Sequence, residues 1–196
     1  MDLLEQQVAF IKEVEGMKSV LREAWTSSGR RESTAEHSWR LALLAGLLAP
    51  SFHVDLSKTL MMCLIHDLGE LYMGDISAVS NPDKKAKHLA EEHDVRRILS
   101  FLPEAQQEAL MALWREYNDE NTEEAKLVKA LDKAETIIPV SYTHLDVYKR
   151  QDSFVTMPPN RGLQHLEARS VERCRRILSK INTDCIIMSG NKRTRK

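Results

Sequence analysis

Histidines and carboxylates stand in this sequence where the surrounding pattern would place apolar residues of a helical core. His66 and Asp67 close the apolar run MMCLIHDLGEL, and Asp132 follows Leu131 in LVKALDKAETII. His37 lies one turn into a leucine-rich stretch, TAEHSWRLALLA. Imidazoles and carboxylates are costly to bury unless they are paired or bind a metal ion. Together they predict a site for one divalent ion.

The donor types narrow the choice of ion. Two imidazoles and two carboxylates suit a borderline divalent ion such as Mn²⁺, Co²⁺, Fe²⁺, Zn²⁺ or Ni²⁺. Four protein ligands on an octahedral ion leave one or two positions for water and a substrate oxygen, as a catalytic site requires. Glu70 lies one turn beyond His66 on the same side of the predicted helix. A carboxylate is therefore expected on the same side of the helix as His66.

The other histidines have a different interpretation. A second His-Asp pair, His93-Asp94, lies among charged residues in KHLAEEHDVRRIL, which is typical of a solvated helix face. His53 and His88 stand in similarly polar surroundings. His37 alone would more often be a hydrogen-bonded histidine at a helix start. Its combination with the other motifs is what indicates a metal site.

Helices are the elements that must position these side chains. Apolar residues recur at steps of three and four, with little strand-like alternation. An opening helix is predicted from about Leu3 to Arg22, followed by a polar loop, TSSGRRE. The capping box STAE, with Ser33 as N-cap, begins the next helix, and Pro50 ends it. Later helices are predicted from Asp55 to Gly69 and over residues 84–101, 103–117 (opened by Pro103) and 122–138 (capped by Thr122).

Composition sets the class of protein. A chain of 196 residues with 42% apolar content is long enough for one domain with a real core. A net charge of −1 argues against a nucleic-acid binder. The acidic opening, MDLLEQQVAF, and the lack of a long apolar run predict a cytoplasmic protein without a membrane span. Three cysteines lie far apart, which argues against disulfides and thiolate zinc sites, and Cys63 is expected to be buried.

Three motifs together carry a family resemblance. TAEHSWRLALLA, IHDLGELYMGD and LVKALDKAE, in this order and at these separations, resemble the H…HD…D signature of the HD superfamily, and especially its small 5′-deoxynucleotidase group. The resemblance covers about residues 15–138. It implies an all-α bundle of five to six core helices, one divalent metal ion such as Mn²⁺ or Co²⁺, and a nucleotide substrate.

The resemblance also implies roles for particular residues. Glu70 matches a glutamate that handles the nucleophilic water, and Asp75 a second acidic residue at the substrate. Arg22 stands where that group has a phosphate-binding arginine. Glu23 departs from the bacterial nucleotidases, which have a tryptophan there, and this weakens any claim about sugar selectivity. Whether Trp25 substitutes for that tryptophan stays open. The implied metal ligands are His37, His66, Asp67 and Asp132.

A segment near the middle of the chain has the character of a DNA artefact. One permitted coding sequence for VSYTHLDVYKRQ, residues 140–151, is its own reverse complement apart from its ends, like two transposase mosaic ends joined head to head. The residues up to 151 carry 18 basic and 25 acidic side chains, whereas those from 152 carry 10 and 4. We therefore predict an HD domain over 1–139, an assembly scar over 140–151 that receives no functional role, and a separate basic segment over 152–196. A displaced piece of the same gene, a different gene and a wrong reading frame stay open as origins of that last segment.

This origin carries structural expectations. A segment that was never selected to pack on the domain should lack a matching apolar face. The helix bearing Asp132 is expected to end near Pro139. An irregular connection should follow, with at most one amphipathic helix from about Leu163 to Ile181.

The predicted reaction is hydrolysis of the 5′-phosphate of a (deoxy)nucleoside monophosphate. One rival is another HD activity on cyclic or hyperphosphorylated nucleotides, although a single visible ligand set favours one ion. A second rival is an inactive chimera that acts as an interaction module through the basic stretch GLQHLEARSVERCRRILSKI. The sequence does not decide whether the protein forms a homodimer.

Overall fold

The computed structural model describes residues 1–75 and 83–136, with isolated positions beyond. The all-α class is confirmed, because helices dominate and the sheet has only two short strands. Within these ranges no helix is both long enough and apolar enough to cross a membrane. The elements in chain order are α1 (Leu3–Val14), β1 (Leu21–Trp25), β2 (Arg31–Ser33), α2 (Thr34–Leu48), α3 (Leu56–Ile65), α4 (Glu70–Met73), α5 (Lys84–Leu99), α6 (Glu104–Asp119) and α7 (123–136).

The expectations for the end of the chain fall largely outside the described residues. These include the helix end near Pro139, the connection over 140–151 and most of the amphipathic helix from Leu163 to Ile181. In that last range only Glu172, Arg176 and Ser179 are described, and all three are helical and exposed.

The prediction of one long opening helix is wrong. Helix α1 ends at Val14, a 3-10 turn follows over Glu15–Lys18, and the chain then enters an antiparallel hairpin in which Leu21 pairs with Ser33. The supposed loop TSSGRRE closes this hairpin with Gly29 at a φ of 81°, where glycine is favoured. The hairpin escaped detection because β1 points its large apolar residues outward and its arginine inward.

The helix starts agree closely with the prediction. Ser33 accepts a hydrogen bond from the Glu36 backbone, and the Glu36 side chain accepts one from the Ser33 backbone, which completes the capping box. Asp55 caps α3 by accepting from the backbone of Lys58 at 2.9 Å. Thr122 Oγ1 accepts from the backbone of Ala125 at 3.3 Å at the start of α7. The caps satisfy amide groups that would otherwise lack partners.

Helix α3 ends earlier than predicted, at Ile65 instead of near Gly69. The chain turns over the next residues, and α4 begins at Glu70. Gly69 lies against α5, where an added Cβ would come within 2.7 Å of Glu91 Cβ and 2.9 Å of Glu91 Cα. This close approach to the backbone of α5 explains why only glycine fits at this position.

The core consists of two clusters of buried side chains. One joins α2, α3, α6 and α7 and includes Leu41, Met62 and Leu131; the other joins α3, α5 and α6 and includes Ile98 and Trp114. Helix α3 contributes to both clusters. Its C-terminal end, which carries the His-Asp motif, is therefore anchored on two sides.

Candidate metal centre

Three helices bring the predicted ligands together. His37 comes from the first turn of α2, His66 and Asp67 from the end of α3, and Asp132 from α7. One donor atom from each of His37, His66 and Asp132 lies within 4.8 Å of the others. Asp67 Oδ2 lies 3.0 Å from His66 Nε2 and 3.8 Å from His37 Nε2. His37, His66 and Asp132 thus converge on one point, and Asp67 lies beside the two histidines.

Each histidine presents the same nitrogen to that point. His66 Nδ1 lies 2.9 Å from the carbonyl oxygen of Cys63, which can only accept, so Nδ1 carries the proton. His37 Nδ1 lies 2.7 Å from Oε2 of Glu135. Neither Nε2 has a well-directed hydrogen bond among the described residues, although both are buried. Two buried, unpartnered imidazole nitrogens beside two carboxylates fit a divalent cation.

The charges of the site also favour a cation. Burial opposes a charged imidazole, but the nearby carboxylates of Asp132 and Glu135 outweigh it and raise the pKa of His37 to about 9. The pKa of Asp132 is lowered despite burial, mainly by the His37 imidazole beside it. The pKa of Asp67 is also lowered despite burial, by His66, His37 and Arg22. Without a metal ion, a proton on His37 supplies positive charge to these carboxylates.

Glu70 has the character expected of a proton-transfer group. Its side chain is buried at the start of α4, and Thr34 Oγ1 donates to its Oε2 at 3.3 Å. Burial, together with the nearby charges of Asp67 and Asp75, raises the pKa of Glu70 to about 8. A carboxyl group with a pKa near neutrality can both accept and return a proton.

Arg22 reaches the site from the hairpin. Its NH1 donates to Asp67 Oδ2 at 3.1 Å, and its Nε lies 3.9 Å from Glu32 Oε2 without a hydrogen bond. Glu23 and Trp25 share the opposite, exposed face of β1. Neither of them therefore faces the site from β1.

Asp75 lies at the edge of the described chain. It is half-buried and follows Gly74, whose φ of 79° turns the backbone after α4. Its charge acts on both Arg22 and Glu70. Asp75 thus belongs electrostatically to the same site.

Comparison with known proteins identifies the family. A family model for the HD domain matches residues 14–157, most of the chain. This chain is an HD-domain protein. The matched range includes residues 140–151.

Named relatives of this HD domain include 5′-deoxynucleotidases. The proteins named 5′-deoxynucleotidase HDDC2 from Bos taurus and Homo sapiens are each 34% identical over 134 residues, which is 67% of this chain and 65% of theirs. The chain thus spans slightly less than two thirds of the length of these relatives.

Solved structures support the fold. A crystal structure described as a predicted metal-dependent phosphohydrolase from Magnetospirillum magnetotacticum is 29% identical to this chain and has a TM-score of 0.69. The match covers 92% of this chain and 93% of the chain in that structure. The structure of a protein from Pyrococcus horikoshii is 26% identical and has a TM-score of 0.60, and the match covers 94% of this chain and 98% of that one.

Sequence reasoning missed part of this HD site. The half-buried Arg40 pairs with the buried Glu135, and Tyr117 donates to Asp132 Oδ2 at 3.3 Å. A signal for the first pair was present, because Glu135 stands three residues after Asp132 and Arg40 three after His37, which is one helical turn in each case. Their charge made them resemble surface residues.

A second cluster of donors is less suited to a metal ion. Glu32, His37 and Glu135 also lie within ligand distance of one another. Arg40 NH1 lies 3.4 Å from Glu32 Oε1, and its other nitrogens contact Glu135. The guanidinium group already supplies the positive charge there.

Of the histidines that the sequence assigned to solvated helix faces, only some are exposed. His53 and His93 are exposed. Asp94 is buried, however, so the second His-Asp pair is not a simple solvated face. His88 is half-buried and stacks on Trp114 with ring centroids 5.3 Å apart. The prediction failed there because α5 is charged overall yet packs part of its polar surface inward.

Proposed function

We propose that this HD domain is a metal-dependent phosphomonoesterase that removes the 5′-phosphate from (deoxy)nucleoside monophosphates. The observation that carries the proposal is that two buried Nε2 atoms, which have no well-directed hydrogen bond among the described residues, meet two carboxylates next to an arginine and a glutamate. The names of the bovine and human relatives support the reaction and the substrate class. The description of the Magnetospirillum structure supports metal dependence.

The ligands would be His37, His66, Asp67 and Asp132. Their mixed nitrogen and oxygen donors favour Mn²⁺, Co²⁺ or a similar ion. When bound, the ion would polarise the phosphoryl group and lower the pKa of a water molecule.

Glu70 would hold and move the proton of the attacking water. Its raised pKa and its burial beside Asp67 suit that task, because a general base works best with a pKa near the working pH. Thr34 Oγ1, which donates to Glu70 Oε2, orients the carboxylate.

Arg22 would bind the phosphate. Its guanidinium group already lies at the predicted metal ligand Asp67, and a planar fork of donors matches two phosphate oxygens. Asp75 would lie on the side of the leaving group, where it either assists the leaving oxygen or binds a sugar hydroxyl. The variant Asp75→Asn separates these roles. A loss of turnover would indicate that Asp75 assists the leaving oxygen, whereas weaker substrate binding would indicate that it binds the sugar hydroxyl.

A phosphate-release screen tests the proposal. Purified protein is analysed for metal and then assayed on ribo- and deoxynucleoside monophosphates with Mn²⁺, Co²⁺ and Mg²⁺. Release from monophosphates, lost in Asp132→Asn, is the expected result. Hydrolysis of cyclic or hyperphosphorylated nucleotides alone would favour the rival HD activity, and no hydrolysis with salt-dependent binding to DNA or RNA would favour the interaction module.

The domain limits and the setting of the protein are part of the proposal. We infer an HD domain over 1–139, an assembly scar over 140–151 and a separate basic segment over 152–196, in a cytoplasmic protein. Sequencing the genomic locus across codons 135–155 tests the scar, and an uninterrupted natural reading frame would contradict it. Light scattering of the purified protein tests for a homodimer.

A further inference from the structure

We propose that Glu135 is a positioning residue for the metal centre: its carboxylate, held by Arg40, accepts the Nδ1 proton of His37 and directs Nε2 of that histidine at the ion. The inference rests on the proposed metal site. It concerns how one ligand is oriented and does not depend on which substrate is hydrolysed.

The contact between Glu135 and His37 is short and excludes solvent. Oε2 of Glu135 lies 2.7 Å from Nδ1 of His37, and the two residues are 1% and 0% exposed. Asp132, one turn earlier on α7, places Oδ1 3.2 Å from Nε2 of the same ring. A single helix therefore contacts both nitrogens of one imidazole. The ring cannot flip without losing a buried hydrogen bond.

Arg40 fixes the carboxylate from its other side. Its Nε and NH2 contact Oε1 of Glu135, which leaves Oε2 for the histidine. NH1 of Arg40 lies 3.4 Å from Glu32, whose other oxygen lies 3.9 Å from Nε of Arg22. A row of alternating charges thus runs from the proposed phosphate-binding arginine to the proposed metal ligand. Each buried charge in the row has an opposite neighbour, as burial requires.

A comparison with His66 shows what the carboxylate of Glu135 contributes to His37. His66 donates its Nδ1 proton to a backbone carbonyl, that of Cys63, whereas His37 faces a carboxylate. Both arrangements select the tautomer, but a carboxylate also makes the imidazole a stronger donor to the metal. Loss of such a partner typically weakens metal binding by about 10- to 100-fold. We expect that loss for Glu135→Gln.

A purely structural role for Glu135 makes a different prediction. Cutting a buried ion pair would lower thermal stability, but it would leave the affinity of the folded protein for metal unchanged. The test therefore measures metal directly. Co²⁺ affinity is determined by competition with a chelator, and the Nδ1 proton of His37 is observed by NMR in the zinc-loaded protein.

The experiment compares wild type, Glu135→Gln and Glu135→Asp, with the exposed Glu108→Gln on α6 as the matched control. We expect Glu135→Gln to bind Co²⁺ about 10- to 100-fold more weakly, with an upfield shift of the His37 Nδ1 proton, and Glu135→Asp to recover part of the affinity. Wild-type affinity and an unshifted proton in a less stable Glu135→Gln variant would overturn the proposal.

Two further outcomes are distinguished. If Glu135→Gln does not fold, Arg40→Gln replaces it, and an unchanged Co²⁺ affinity in that variant would equally overturn the proposal. If the wild type binds Co²⁺ but releases no phosphate from any nucleotide, the proposed function fails while the role of Glu135 is still decided by the affinities.

Discussion

The site has two walls that are built differently. The metal wall is made of His37, His66, Asp67 and Asp132. These residues come from three helices whose starts are capped and whose apolar residues pack in the core. The substrate wall, Arg22, Glu70 and Asp75, comes from a hairpin, a one-turn helix and the connection that follows it. Metal ligands must be held rigidly, whereas groups that bind and release a substrate are more often carried by connections. The difference suggests separate effects of mutation on the two walls.

The largest effect is expected from breaking the metal wall. His66→Ala should remove bound metal and reduce phosphate release by more than the roughly 10²- to 10⁴-fold that the loss of a general base costs. His93→Ala is the matched control, because His93 belongs to the other His-Asp pair and its side chain is exposed. Metal content by mass spectrometry and phosphate release are measured together. Full metal content in His66→Ala would contradict the ligand assignment.

Glu70→Gln should break the substrate wall and leave the metal wall intact. The amide keeps the shape but cannot accept the proton of water, so kcat should fall by about 10²- to 10⁴-fold with metal content unchanged. Glu108→Gln on the exposed face of α6 serves as control. Turnover equal to that of wild type would remove Glu70 from the mechanism.

The two walls should also respond alike to pH when no metal is bound. The pKa of His37 is raised from 6.5 to about 9, and that of Glu70 from 4.5 to about 8. Both groups hold protons more tightly in the folded state, so the stability they contribute is lost as pH rises through these ranges. For His37 this amounts to about 3 kcal/mol between pH 6.5 and 9.

Thermal unfolding of chelator-treated protein measures this loss. The melting temperature should fall between pH 6.5 and 9. Added Co²⁺ should stabilise most at the alkaline end, where it does not compete with the proton on His37. A metal-free protein that is as stable at pH 9 as at pH 6.5 would contradict the charge assignment.

Of the four changes predicted for the site, Arg22→Lys should have the smallest effect. A point charge replaces a two-pronged donor, so KM for a nucleoside monophosphate should rise about tenfold with bound metal retained. Arg96→Lys is a suitable control, because among the described residues Arg96 pairs with Glu92 at the exposed surface of α5. Steady-state kinetics over a range of substrate concentrations separate KM from kcat. Identical kinetics for wild type and variant would place the phosphate elsewhere.

The metal wall could be predicted from the sequence and much of the substrate wall could not. Capping residues and leucine spacing located α2, α3 and α7, and with them the four proposed ligands. The hairpin was missed because Leu21 and Trp25 are exposed while Arg22 turns inward, the reverse of the usual strand pattern. The early end of α3 was also missed, and the close approach of Gly69 to α5 is a tertiary contact that no local pattern reveals.

The buried charges were equally hard to predict. Glu135 and Arg40 compensate one another only after α2 and α7 have packed, so the sequence offers only their spacing of one helical turn from predicted ligands, which their charge outweighed. The same holds for Glu32, which lies in a stretch that the sequence indicates as a polar loop.

The fit of Gly69 against α5 has a consequence for engineering. The distance between the His-Asp turn and this helix is set by backbone contact and not by side chains that can be exchanged. Substitutions elsewhere on α5 should therefore change the electrostatic environment without altering the spacing. Lys87, whose charge acts on Glu70 from that helix, is the natural first position for a library aimed at new substrates.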